Sequence, residues 1–174
     1  MSEKETIEQN NVNELLEKVF ENINSWLNFA EAKNAANIAL VVAMIAAILS
    51  VDTNWWLVCI LVVFVMSGIL SLITFIPKMG TVFMNKNKKK QNPNLLYFGD
   101  IYVYSGDEYL FLVYKEYIKK GKLKYDKYEK DLADEIVYNS AVAMMKYNYF
   151  KFAVKLDIVA FVVLSVGIIL SEIL

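Results

Sequence analysis

The sequence predicts an all-α membrane protein with a transmembrane hairpin, a third, short C-terminal span and a cytoplasmic helical bundle. Between residues 35 and 76 the one charged residue is Asp52, which lies in a three-residue interruption of two apolar runs. The runs 35–51 and 55–76 contain 17 and 22 residues, and a helix needs about 17–25 apolar residues to cross a bilayer. Hydrophobic residues make up 57% of a chain that also carries 18 Lys and 19 acidic residues, so its charges must be segregated from its apolar runs.

A third apolar run, 158–171, contains 14 residues before Glu172, which is short for a span. Charged residues at helix ends reach the interface at low cost, so we predict a third transmembrane helix over 154–174. The alternative is a helix that packs along the hairpin or lies in the interface.

The N-terminal region 1–34 is predicted to be a cytoplasmic amphipathic helix. Its apolar residues recur at steps of three and four, namely Val12, Leu15, Leu16, Val19, Phe20, Ile23, Trp26, Leu27 and Ala30. No Gly or Pro occurs before Val51, so the first span should continue this helix. The apolar face needs a partner, either the helices of residues 107–153 or the same helix in another protomer.

Residues 77–153 are predicted to form a cytoplasmic helical region. This region begins with a polar loop, 85–94. We interpret the four Lys of the loop as a topology anchor, and the alternative is that they bind anionic lipid or a nucleotide phosphate. For 95–104 the pattern fits either a strand or a short helix.

Two helix starts are predicted after this segment. Ser105 is a candidate cap for a helix that runs to about Lys120 and ends at Gly121. A long final helix should begin near Tyr125 and continue into the third span.

Lysine placement predicts the orientation, because cytoplasmic loops are enriched in Lys. In the predicted layout, eight Lys near the ends of the spans lie on the same side of the membrane: Lys33, Lys78, Lys86, Lys88, Lys89, Lys90, Lys146 and Lys151. The N-terminus and residues 77–153 should therefore be cytoplasmic.

Small residues recur every fourth position inside the predicted spans. The first span has Ala35, Ala39, Ala43 and Ala47, the second Ser67 and Ser71, and the third Gly167 and Ser171. Such stripes allow close helix approach. We interpret them as packing within the hairpin, or alternatively as an interface between protomers whose rearrangement opens a pore.

Composition argues against catalysis. The chain has no His and no Arg, and its one cysteine, Cys59, lies in the second span, so the commonest general base and metal ligand are missing. The acids Asp126, Glu129, Asp131, Asp134 and Glu135 alternate with Lys127 and Lys130, which is typical of a solvated helix with i,i+4 pairs. We therefore expect no enzyme, catalytic residue, cofactor or metal.

Several blocks occur in a fixed order along the chain, namely Ala30–Ala35 (AEAKNA), Asn94–Ile101 (NLLYFGDI), Asp107–Leu110 (DEYL), Asp131–Ile136 (DLADEI) and Lys146-Tyr147. Together these blocks resemble the Pycsar transmembrane effector family. The resemblance extends from about Leu16 to the third span. It departs from the family at Glu31, where the usual acid is Asp, a change that keeps the charge. Some members carry an added HD-type phosphohydrolase domain, for which this chain has neither the length nor any His.

The resemblance implies a bacterial antiphage effector that responds to cyclic UMP or cyclic CMP by impairing the inner membrane, with abortive infection as the outcome. The expected partners are the cyclic pyrimidine nucleotide, membrane lipid and further copies of the chain, and no nucleic acid polymer. A phosphate would need Lys in the absence of Arg, and a base would need an aromatic face.

The candidate nucleotide-binding residues lie in the blocks that carry the resemblance, and they are Lys33, Tyr97, Phe98, Tyr109, Lys146 and Tyr147. The alternative is that the aromatic residues pack the fold and that the two Lys join the first and last helices through Glu31 or Asp157. Two other functions stay open: a SLATT-like effector for a different nucleotide messenger, and an accessory subunit that binds a larger partner through the 12–30 face.

Overall fold

The described residues of the chain form helices and short connections. The computed structural model describes residues 3–52, 54–77, 89–118 and 125–173, and it has no β-strand within these ranges. The elements are α1 (Glu3–Leu49), α2 (Trp55–Ile73), α3 (Phe98–Ile101), α4 (Gly106–Val113), a π-helical segment (Tyr114–Ile118) and α5 (Lys127–Ile173). The predicted all-α class is confirmed for this part of the chain.

Two helices, α1 and α5, have 47 residues each. As predicted, α1 continues from the amphipathic segment into the first apolar run, because neither Gly nor Pro interrupts its backbone hydrogen bonds. The final helix likewise includes the third apolar run, and it begins at Lys127, two residues after the predicted start.

Among the described residues, three helices are long and apolar enough to cross a membrane. They fall within Asn11–Leu49, Trp55–Ile73 and Lys127–Ser171. Their length and composition are those of a membrane protein. The hairpin topology and the side on which each end lies stay predictions.

The chain divides into two compact units. Unit 1 comprises Met1–Asn28 and Lys78–Met144, and unit 2 comprises Phe29–Pro77 and Met145–Leu174. Helices α1 and α5 contribute residues to both.

In unit 1 the apolar face of α1 is buried within the chain. Its fully or nearly fully buried residues are Val12, Leu16, Val19 and Ile23. The Trp26 ring lies 6.0 Å from that of Phe98, and the Tyr128 hydroxyl donates a hydrogen bond of 2.6 Å to Glu17. Two partners were predicted for this face, helices of the same chain or the same helix in another protomer. The structure shows that helices of the same chain cover it.

The segment 95–104 contains a short helix, α3, and not a strand. The predicted cap of α4 is confirmed. Ser105 Oγ accepts a hydrogen bond from the Glu108 amide at 3.3 Å, and the Glu108 carboxylate accepts one from the Ser105 amide at 3.0 Å. The α-helix ends at Val113 and continues as the π-helical segment to Ile118. The predicted end at Lys120 and Gly121 lies outside the described residues.

The prediction that the acids near the start of α5 are all solvated is wrong for Glu129. Glu129 is fully buried. Its carboxylate accepts hydrogen bonds from the Asp126 amide at 2.9 Å and from the Tyr114 hydroxyl, while the Asp126 carboxylate accepts one from the Glu129 amide at 2.8 Å. These two acids therefore form a capping box. Lys130 pairs with Asp107 of α4 at 3.2 Å, an acid outside its own helix.

Unit 2 has an apolar core formed by three helices. The buried cluster consists of Val41 and Ile48 of α1, Leu57, Ile60 and Phe64 of α2, and Ala160 of α5. The rings of Phe64 and Phe161 meet edge to face with centroids 5.5 Å apart. A methyl group added at Gly68 would lie 3.2 Å from Val41 Cγ1, so α1 and α2 are closely packed there.

The small residues of the three apolar runs divide into two groups. Ser67 and Ser71 are fully buried, and Gly167 lies against the Trp56 ring. The first-span stripe Ala35, Ala39, Ala43 and Ala47 is instead exposed at all four positions. Packing within the hairpin is thus the wrong interpretation for the alanine stripe. Cys59 of α2 is also exposed.

We expect Ser105→Ala to lower the free energy of unfolding by about 1 kcal/mol, because the first turn of α4 loses an acceptor for the Glu108 amide. Thermal unfolding in detergent micelles would record this as a midpoint lower by about 2–4 °C. Ser25→Ala is the matched control, since Ser25 is exposed and its hydroxyl donates to the Glu21 carbonyl one turn back on its own helix. Equal midpoints for the two variants would contradict the role of the cap.

Candidate functional site

Three of the predicted nucleotide-binding residues, Lys33, Lys146 and Tyr147, belong to unit 2. Lys33 Nζ lies 4.5 Å from the ring centroid of Phe29, 5.4 Å from that of Tyr147 and 5.6 Å from that of Phe150. Lys146 is largely buried and forms an ion pair with Glu31. Both ammonium groups are thus engaged by side chains of their own unit, and the alternative prediction that Lys146 contacts Glu31 is confirmed.

The other three, Tyr97, Phe98 and Tyr109, belong to unit 1. Phe98 is buried, with its ring 4.7 Å from that of Tyr97. Tyr109 is fully buried, its hydroxyl donates a hydrogen bond of 3.0 Å to the Leu95 carbonyl, and burial raises its pKa well above the ordinary value. Tyr97 is 43% exposed. Of these three residues, only Tyr97 offers a ring face that a base can reach.

The block Asn94–Ile101 folds around the buried carboxylate of Asp100. Lys90 Nζ donates to Asp100 at 2.6 Å and the Asn94 amide donates at 3.0 Å, while the Asn94 side chain accepts from the Leu96 amide. Burial alone would raise the pKa of Asp100, but the hydrogen bonds from Lys90 and Asn94 outweigh it and lower that pKa. Asp100 therefore holds the turn that leads into α3.

The polar loop before this block contributes cations to unit 1. Lys90 pairs with Asp100, and Lys89 pairs with Glu108 at 2.8 Å. The predicted loop residues 85–88, which include Lys86 and Lys88, lie outside the described residues.

An open groove of about 360 Å³ lies beside this loop in unit 1. It is lined by Lys89, Tyr104, Asp107, Glu108, Phe111 and Leu112. Lys89 Nζ is 5.3 Å from the Tyr104 ring centroid, and Phe111 is 55% exposed. A volume above about 300 Å³ is within the range of small-molecule sites.

The groove combines the groups that a nucleotide requires. Lys89 supplies a cation for a phosphate, the Phe111 ring supplies a face for a base, and the carboxylates of Asp107 and Glu108 accept hydrogen bonds from hydroxyl or N–H groups. The sequence carried a partial signal for it, because Asp107 and Phe111, and likewise Glu108 and Leu112, are four residues apart on one helix. The position of Lys89 beside that face depends on the fold.

The Asp100 geometry predicts a pH dependence of stability. Because its pKa is lowered in the folded chain, its contribution is complete above the ordinary carboxyl pKa near 4 and is lost as the pH falls through the lowered value. Asp100→Asn should therefore reduce the free energy of unfolding by about 1–3 kcal/mol at pH 7. The difference from the unsubstituted chain should shrink as the pH approaches 3.

Thermal unfolding between pH 7 and pH 3 measures this difference. Asp131→Asn, which changes an exposed acid on α5, is the matched control and should leave the midpoint at pH 7 unchanged. A difference between Asp100→Asn and the unsubstituted chain that stays constant down to pH 3 would exclude the proposed charge interaction.

Comparison with known families identifies the chain. The family model described as the Pycsar effector protein domain matches residues 15–171. No curated protein and no solved structure matches the chain. Because the family match covers most of the sequence, including α2, most of α1 and nearly all of α5, the chain belongs to the Pycsar effector protein family.

Proposed function

We propose that this chain is an antiphage effector that senses a cyclic pyrimidine nucleotide, cUMP or cCMP, and impairs the bacterial inner membrane. The observation that carries the proposal is the family match over residues 15–171, which supports a role as a Pycsar antiphage effector. Three helices of membrane-spanning length and composition are consistent with the membrane as its target.

The groove of unit 1 is our candidate for the nucleotide site. A cyclic mononucleotide has one anionic phosphate and one planar base, which match one Lys and one exposed aromatic ring. The Lys89 ammonium, now paired with Glu108 at 2.8 Å, would turn to the phosphate. The Glu108 carboxylate, which also accepts a hydrogen bond from the Ser105 amide, would then accept one from the ribose hydroxyl or from a base N–H. The six residues from the family blocks are retained as secondary candidates, with Tyr97 the most accessible in unit 1.

The Lys distribution supports a cytoplasmic location for the groove. With the N-terminus and residues 77–153 in the cytoplasm, the groove faces the compartment in which a cyclase would make the nucleotide. Helices α1 and α5 contribute residues to both units, so they are the covalent route by which binding in unit 1 would influence unit 2.

The alanine stripe supports assembly into a homo-oligomer. Ala35, Ala39, Ala43 and Ala47 are exposed along one line of α1. Small residues at this spacing let two helices approach closely within a bilayer, where packing rather than the hydrophobic effect drives association. We propose that protomers meet along this stripe and that the assembly breaches the membrane.

We expect Lys89→Ala and Phe111→Ala each to weaken nucleotide binding by about tenfold. A charge-assisted hydrogen bond or one base stack is worth roughly 1–3 kcal/mol, and about 1.4 kcal/mol is a factor of ten in affinity. Isothermal titration calorimetry of the purified chain with cUMP and cCMP measures the effect. Lys115→Ala is the control, because Lys115 is an exposed lysine of unit 1 that pairs with its neighbour Glu116.

Unchanged affinity in both groove variants would place the nucleotide elsewhere. A panel that includes purine cyclic mononucleotides and cyclic dinucleotides distinguishes this proposal from the SLATT-like alternative. Binding of a purine or oligomeric messenger, and of neither cUMP nor cCMP, would favour that alternative.

Co-expression of the chain with an active pyrimidine cyclase should depolarise bacterial cells, as followed with a potential-sensitive dye. Co-expression with an inactive cyclase should not. Ala39→Phe and Ala43→Phe should reduce the depolarisation severalfold and lower the oligomeric state in micelles, because the larger side chains keep the helices apart.

The controls for the stripe are Val58→Phe and Val62→Phe, which place the same ring at exposed positions of α2. They should behave as the unsubstituted chain does. Intact membrane potential in the presence of the active cyclase would refute the proposed function, and unchanged oligomers in both alanine variants would refute the role of the stripe.

A further inference from the structure

Unit 2 contains a line of buried polar side chains inside its apolar core. Asn37 of α1 donates hydrogen bonds of 3.1 Å to both Ser67 Oγ and Ser71 Oγ of α2. Ser67 in turn donates one of 3.2 Å to the Ala153 carbonyl of α5. We name Asn37, Ser67 and Ser71 the polar track; it connects all three helices of the unit.

Asp157 lies next to this track on the buried face of α5. It is one helical turn beyond Ala153, which contacts Ser67, and three residues before Ala160, which belongs to the apolar cluster around Phe64. The side chain of Asp157 is only 3% exposed. Its position places a carboxylate within a segment whose apolar composition fits a membrane interior.

Neither carboxylate oxygen of Asp157 has a hydrogen-bond partner among the described residues. The lysines of unit 2 do not neutralise it: Lys33 stacks on aromatic rings, Lys146 pairs with Glu31, and Lys151 and Lys155 are exposed. A buried carboxylate in this situation is costly, so a function is the first explanation to consider for an ionisable group inside a membrane segment.

The unsatisfied oxygens indicate what kind of ligand would fit. Asn34 of α1 is fully buried, its Nδ2 donates to the Ala30 carbonyl at 2.8 Å, and its Oδ1 accepts no hydrogen bond from the described residues. Asn34 precedes Asn37 by three residues and Asp157 follows Ala153 by four, so the two lie at different levels of unit 2. At both positions the atoms that lack a partner are oxygens that accept hydrogen bonds. Oxygen atoms are the ligands of small, hard cations, and the carboxylate of Asp157 adds the negative charge.

We propose that Asp157 is the anionic centre of a site for a small monovalent cation inside unit 2, and that cations pass it along the polar track when the effector is active. Binding of the cation is independent of the nucleotide. Its passage rests on the proposed function, because it requires that the protein permeabilise the membrane.

The first experiment tests the cation site without any nucleotide. Thermal unfolding of the purified full-length chain in micelles is compared in NaCl, KCl and choline chloride at equal ionic strength. Na⁺ or K⁺ should raise the midpoint by a few degrees over choline, because a ligand that binds the folded state stabilises it. Asp157→Asn should abolish this difference. Asp52→Asn, in the exposed turn between α1 and α2, should retain it.

A midpoint that is the same in all three salts would overturn the cation site. A salt effect that persists in Asp157→Asn would overturn Asp157 as its centre. Asp157→Asn keeps the size of the side chain and removes its charge, so we expect this variant to fold. If its unfolding midpoint in choline chloride is at least equal to that of the unsubstituted chain, the result supports a carboxylate whose charge is not compensated within the folded chain.

The second experiment tests passage in liposomes that hold the protein, under a KCl gradient and with cUMP or cCMP added. The unsubstituted chain and Asp52→Asn should pass K⁺ in preference to Cl⁻, and Asp157→Asn should lose most of that preference, about tenfold. Equal selectivity in all three would overturn the role of Asp157 in passage while leaving the proposed function intact. If the unsubstituted chain passes no ions with cUMP or with cCMP, the result would count against the proposed function. The unfolding experiment would still decide whether the cation site exists.

Discussion

Backbone hydrogen bonding without water is the constraint on which this structure depends. In the hydrocarbon region an amide finds its partner within its own helix or not at all. The chain meets this requirement with α1, α2 and α5, none of which contains Pro. Continuity follows from the same constraint, because a break inside α1 or α5 would expose unpaired amide and carbonyl groups.

Buried polar side chains are subject to a similar requirement, because they too need hydrogen-bond partners within the protein. In unit 2 the buried hydroxyl and amide groups of Asn37 and Ser67 bond to each other or to a carbonyl of a neighbouring helix, so helix packing there combines close apolar contact with a few polar contacts. In unit 1 the buried acids are satisfied as well, Asp100 by Lys90 and Glu129 by Tyr114. Asp157 departs from this rule, and for that reason it is informative.

Local signals in the sequence were sufficient to predict where several helices begin or how far they extend. The absence of Gly and Pro before Val51 predicted the length of α1, and Ser105 with Glu108 three residues later predicted the start of α4. Both features depend on neighbours in the chain.

The buried capping role of Glu129 was missed, because an acid among Lys residues has the composition of a solvated helix. Its burial depends on Tyr114, 15 residues earlier in the chain. The sequence left open whether the alanine stripe faces inward or outward, because periodicity identifies a face and not what covers it. The groove was missed for a similar reason, since Lys89 reaches Glu108 only through the turn around Asp100.

Cys59 has a practical consequence for work on this protein. It is the chain's one cysteine, and it is exposed on α2, away from the buried cluster and the polar track. A thiol-reactive spin label or fluorophore therefore attaches at a single defined point without any prior substitution. Distances between such labels on neighbouring protomers would report the geometry of an assembly, and quenching by lipid-phase reagents would report the depth of α2 in a bilayer.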